Sequence, residues 1–204
     1  MLCYTKAMIP EYFALVGAAI ASLGGLYYLY ETIMGKTKPN RITWLLWGLF
    51  PMIVFIAQKA QGVEGLSWVS FAAGFTPLLV LLASFLNKKA YWKTEPKDYY
   101  LMAAALLGIV LWFITNNANL AILFSLAADL FAGVPTVIKA HKHPETESWI
   151  AYAISAVGFV LGIFAIRSFT FESFAFIFYL FMINALLAVL SSRKKPLSLL
   201  HTEL

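Results

Sequence analysis

Ten acidic residues occur in the 204-residue chain, and one of them stands apart by its surroundings. Asp129 is the only acid deep inside an apolar run, with Leu126-Ala127-Ala128 before it and Leu130-Phe131-Ala132 after it. Holding a charged carboxylate in hydrocarbon costs at least a few kcal/mol, so this side chain must face a protein interior or a wet cavity. There it suits a protonatable coupling site or a partner for a cationic group on a substrate. A neutral, hydrogen-bonded structural aspartate is the other reading. Asn184, between Ile183 and Ala185 in a second apolar run, can donate and accept, as the hydroxyls of a solute require. A hydrogen bond to a neighbouring helix is its alternative role.

Three prolines lie inside apolar runs: Pro51, Pro77 and Pro135. Each removes a backbone hydrogen bond and kinks a helix, which makes it a candidate hinge or a static bend. Trp44 and Trp149 fit interfacial anchors. Trp47 and Tyr152, three residues further along, fit an inner constriction against which a solute could bind. Gln58, Lys59, Asn116, Asn117 and Asn119 read as capping and interface groups. His141 and His143 alternate in a basic segment, 139–147, without a third ligand nearby, so no metal site is expected.

Catalytic patterns are missing. There is no H-E-x-x-H, no G-x-S-x-G and no phosphate-binding glycine loop, and the last apolar run has no lysine for a retinal Schiff base. No deep acid accompanies Asp129 as a catalytic partner. The chain is therefore read as not an enzyme, with no cofactor.

The segments that carry these residues are unusual in composition. The chain is 61% hydrophobic and 12% charged, about half the usual supply of charge in a soluble domain. A membrane-spanning helix takes about 20 apolar residues. Seven such runs are found, at 10–33, 42–60, 67–87, 98–116, 119–139, 147–166 and 171–192. None alternates as a transmembrane strand would. The first could be mistaken for a signal peptide, but Glu11 sits at its front and the run continues to Tyr30. With seven crossings, the loops at 36–41, 88–97, 139–142 and 193–195 share one side and hold twelve of the fifteen Lys and Arg residues. The other side has Lys6, Lys59 and Arg167. Positive loops stay inside, so the N-terminus is expected outside and the C-terminus in the cytoplasm. The net charge of +5 thus reports topology and not affinity for nucleic acid.

An offset of 105 residues pairs Pro39, Thr43, Trp44 and Trp47 with Pro144, Ser148, Trp149 and Tyr152. An offset of 106 pairs Ser67, Phe75 and Lys88-Lys89 with Ser173, Phe181 and Lys194-Lys195. The period is far longer than a solenoid unit, so it reads as a duplicated three-helix bundle. Three crossings invert the chain, and the unmatched fourth span restores the orientation of the second copy. The expected architecture is all-α integral membrane, 3+1+3, with parallel repeats about an axis along the membrane normal. The repeats occupy 1–89 and 118–195, the linker helix 90–117 and a cytoplasmic tail 196–204. Stripes of small residues, Gly17-Ala21-Gly25 and Gly158-Gly162, fit close helix packing.

Asp129-Leu130-Phe131-Ala132-Gly133-Val134-Pro135-Thr136, followed by Thr146-Glu147-Ser148-Trp149, resembles the second repeat of the PQ-loop/SWEET superfamily. The chain is also similar to a group of bacterial membrane proteins of about this length, on the segments 41–47 and 111–117. Pro135-Thr136 stands where the superfamily has Pro-Gln, and Tyr30 takes the aligned place in the first repeat. The resemblance implies the 3+1+3 plan, Asn184 as a pocket residue and Asp129 as a site compatible with proton coupling. The expected function is transport of a small polar solute (a sugar, amino acid or vitamin-like compound) by alternating access. A non-transporting receptor or sensor on the same fold, as in KDEL receptors, is the alternative. The expected setting is the prokaryotic cytoplasmic membrane, with membrane lipid as the other partner and a homodimer compatible with the sequence.

Overall fold

The computed structural model describes residues 12–90, 92–115, 118–166 and 170–193. Lys6, Asn116, Asn117, Arg167 and the tail 196–204 lie outside them. Among the described residues there are seven α-helices and no strand: α1 Tyr12–Ile33, α2 Arg41–Ala60, α3 Glu64–Leu86, α4 Pro96–Thr115, α5 Ala118–Lys142, α6 Trp149–Phe164 and α7 Phe171–Ser192. A short 3-10 turn, Pro144–Thr146, precedes α6. Five helices are long and apolar enough to cross a membrane: α1, α2, α3, α5 over Ile122–Lys142 and α7 over Ser173–Ser192. The chain is an integral membrane protein by this measure. At 1.5 Å per residue the 16 residues of α6 reach about 24 Å, short of a hydrocarbon core of about 30 Å.

Side-chain caps set two of the helix starts. The Asn40 side chain accepts from the backbone N–H groups of Ile42 at 3.1 Å and Thr43 at 3.3 Å, opening α2. Ser148 accepts from the Ala151 N–H at 3.3 Å and opens α6. The 3-10 turn delays α6 beyond the start expected at 147. At the other extreme α5 runs to Lys142 rather than 139, which moves Lys139 from a loop into the last turns of a helix.

Helix α1 packs against α3 and α6, α2 against α3 and α5, and α7 against α5 and α6, so six helices close a ring. Helix α4 lies mainly against α5. The α1–α6 contact brings backbones together at Gly17, Ala21 and Gly158, with Gly24 against Ala151 and Ser155, while Gly25 of the expected stripe meets Thr76 of α3. A Cβ on Gly158 would fall 2.5 Å from the Gly17 carbonyl oxygen, and one on Gly17 would fall 2.6 Å from that of Gly158. Neither position can carry a side chain without separating the helices. Large apolar side chains such as Leu23, Leu82, Phe85, Leu107, Ile114 and Val189 face outward. Around a water-soluble protein such a surface would be a liability; around a bilayer protein it meets lipid tails.

Hydrogen bonds gather the basic loops at one end of the bundle, here the basic end. Asn87 donates to the Ile33 carbonyl at 2.8 Å, Arg41 to the Ser84 carbonyl at 2.7 Å and Asn40 to Asp98 at 2.9 Å, while Arg193 meets His141 at 2.8 Å. Lys59 pairs with Glu64 at the opposite end. Gln58 departs from the interface role expected of it: it is fully buried and accepts from the Ser70 hydroxyl at 2.6 Å, tying α2 to α3.

Candidate functional site

The ring surrounds a partly open cavity of about 70 Å³ lined from α1, α2, α3, α5, α6 and α7. A single water needs about 10–15 Å³, so the space holds several. Asp129, Asn184, Trp47, Tyr152, Pro51 and Pro77 all line it. Pro135 does not; it is buried within α5, one turn and a half beyond Asp129.

Asp129 faces inward because α5 buries one stripe, Ser125, Ala128, Asp129, Ala132 and Thr136, at the 3–4-residue spacing of a helix face. Its side chain is 1% exposed. The Tyr179 hydroxyl of α7 donates to Oδ2 at 2.7 Å, while Oδ1 takes no hydrogen bond from the described residues. Helix α2 is stitched to the same stretch of backbone. The Thr43 hydroxyl donates to the Ala132 carbonyl at 2.8 Å, and the Trp47 indole N–H reaches the Asp129 carbonyl at 3.4 Å. A Cβ at Gly133 would lie 3.2 Å from the Trp47 ring, so glycine leaves room for the indole against α5. Asn184 donates to the Leu180 carbonyl of its own helix at 2.8 Å. It therefore makes no bridge to another helix through that group.

Toward the basic end the cavity is floored by aromatic rings. Tyr28 lies 4.3 Å from Trp44 and 5.7 Å from Tyr152, and Trp44 lies 5.7 Å from Trp47, centroid to centroid. Trp44 is thus not an interfacial anchor: it is 4% exposed, whereas Trp149, its counterpart in the expected repeat, is 44% exposed. The later start of α6 separates the two environments.

Below this floor is a charged cluster that the sequence did not announce. The hydroxyls of Tyr28 and Tyr152 both donate to Glu147 Oε2 at 2.7 Å. The Lys139 ammonium sits 2.5 Å from Glu147 Oε1 and also donates to the Lys38 carbonyl. The pair's side chains are 2% and 0% exposed, and the Trp92 ring lies 5.2 Å from the ammonium. Glu147 and Asp98, 1% exposed beside Asn40, join Asp129 as buried acids. One signal for the cluster was present: opposite charges at 139 and 147 flanking a turn, with a tyrosine five residues on.

Known protein families, curated proteins and solved structures offer no match to this chain. The site is therefore read from its own chemistry. It combines a largely apolar chamber, one carboxyl group with an unengaged oxygen, an aromatic floor and a buried ion pair closing one end.

Proposed function

We propose that the protein is a membrane transporter of a small polar solute that works by alternating access, related in plan to the PQ-loop/SWEET superfamily. The observation that carries the reading is the cavity, because helices from both halves of the chain contribute to it and it meets four polar or aromatic residues of the expected site. The neighbour relations support two matching units, α1–α3 and α5–α7. Exchanging α1 for α5, α2 for α6 and α3 for α7 reproduces the same set of contacts. In this 3+1+3 plan α4 is the linking crossing, and the basic end faces the cytoplasm, with the N-terminus outside.

The conformation described here is closed at the basic end. Tyr28 and the Lys38 carbonyl belong to the first unit, Lys139, Glu147 and Tyr152 to the second, so the cluster locks the units together. Opening toward the cytoplasm requires this lock to part, with Pro51, Pro77 and Pro135 as the hinge positions. Asp129 and Asn184 hold the solute, Trp47 and Tyr152 narrow its path, and Asp129 exchanges a proton as access alternates.

Spin-label distances test the rocking motion. Pairs at Lys36 and His141, on the basic end, and at Gln61 and Phe171, on the opposite end, should each report two distances whose populations change in opposite senses when solute or pH is varied. A single fixed distance at both ends in every condition would leave a static binding protein instead.

A further inference from the structure

We propose that the solute is a small organic amine, bound with its ammonium group at Asp129 and its carbon skeleton against the aromatic floor. This deepens the transport reading and rests on it only for the word solute. The argument is an inventory of what the cavity leaves unengaged. Most donors in the lining are already committed. The Tyr28 and Tyr152 hydroxyls donate to Glu147, the Thr76 hydroxyl to the Ala72 carbonyl, the Ser155 hydroxyl to the Ala21 carbonyl and the Trp47 N–H to the Asp129 carbonyl. The Thr76 and Ser155 hydroxyl oxygens can still accept. Among the described residues Asp129 Oδ1 has no partner, and the Asn184 amide, having donated to Leu180, offers its oxygen. Among the described residues the lining is thus rich in acceptors, carries one acidic side chain and no Lys, Arg or His.

Three ligand classes meet this inventory differently. An anion would be buried without a counter-charge, which is prohibitive. A sugar presents several hydroxyls, each wanting donors as well as acceptors, and would leave them unpaired in an apolar chamber. An ammonium group has donors only and a positive charge, so it uses the acceptors as they stand. Tyr28, Trp44, Trp47 and Tyr152 supply ring faces for cation–π contact and for the hydrocarbon part. Trp44 Nε1, a buried donor without a partner among the described residues, leaves room for one acceptor on the amine, as in an amino alcohol.

The test uses the full-length protein in detergent at fixed ionic strength, with butylammonium, butanol and glucose as probes. Butylammonium and butanol match in length and differ in charge. Calorimetry should show saturable binding of butylammonium, at least about tenfold tighter than butanol, with no binding of glucose. Asp129→Asn should weaken the amine by a similar factor. Equal binding of butanol, binding of glucose in preference, or full amine affinity in a monodisperse Asp129→Asn protein overturns the proposal. Should that variant fail to fold, the butylammonium and butanol comparison on the unaltered protein decides alone. Amine binding without flux in liposomes upholds the ligand class and removes the transport reading. Flux of glucose without amine binding does the reverse.

Discussion

Replacing Glu147 by glutamine removes the charge that joins α1, α5 and α6 at the basic end. Both partners of its ion pair are withdrawn from solvent, with side chains 2% and 0% exposed for Lys139 and Glu147. Breaking a buried pair by neutralising one member costs about 3–5 kcal/mol, because the other charge stays buried without compensation. Glutamine can still accept from Tyr28 or Tyr152, so the loss is chiefly that of the ion pair. Lys139 and Glu147 both belong to the second unit, so if the cluster is a lock the cost falls on the closed conformation, where Lys139 is buried, and not on the open one, where water reaches it once the Tyr28 and Lys38 contacts part. At about 1.4 kcal/mol per factor of ten, the closed state should lose at least about a hundredfold in population relative to the open one. The native chain has one cysteine, Cys3, so Cys3→Ser with Ser155→Cys puts a single thiol in the cavity lining. A membrane-impermeant maleimide applied from the basic side should label it at least about tenfold faster when Glu147→Gln is added. Lys139→Met in the same background should bring the rate back toward the starting value, since the orphaned charge is gone. Unchanged labelling in a monodisperse Glu147→Gln protein whose thermal stability has dropped would make the cluster a structural strut, and the reasoning would be refuted.

Two further substitutions probe the packing. Gly158→Val should lower the melting temperature in detergent, by a cost of about 1–3 kcal/mol, because a Cβ there lies 2.5 Å from the Gly17 carbonyl oxygen; an unaltered melting temperature would contradict the close α1–α6 contact. Trp44→Ala should cost about 3–5 kcal/mol as a large buried ring is lost, whereas Trp149→Ala, at a residue 44% exposed, should stay within about 1 kcal/mol; equal losses in thermal denaturation would argue against their different environments.

The helices were legible because lipid imposes a one-dimensional rule, a long apolar run for each crossing, and six of the seven residues singled out for chemistry line one cavity. What a linear pattern does not carry is pairing in three dimensions. Lys139 looked like a loop charge because hydropathy falls off at Lys139-Ala140-His141-Lys142, yet α5 continues there and Glu147 compensates the buried ammonium. Tyr28 and Glu147 are 119 positions apart, and nothing in a linear pattern joins them. Trp44 and Trp149 share a place in the expected repeat but not an environment, since the turn Pro144–Thr146 displaces the start of α6. Gln58 was misjudged in the same way: its position near a helix end suggested water, while its partner Ser70 on α3 holds it inside.

Uptake into liposomes across an imposed pH gradient tests the central claim most directly, with radiolabelled amines, amino acids and sugars offered in turn. The account predicts saturable, gradient-driven uptake of at least one amine, abolished by Asp129→Asn in protein that remains monodisperse. Binding of the same compounds with no uptake above empty liposomes, or uptake whose pH dependence survives Asp129→Asn unchanged, would contradict it.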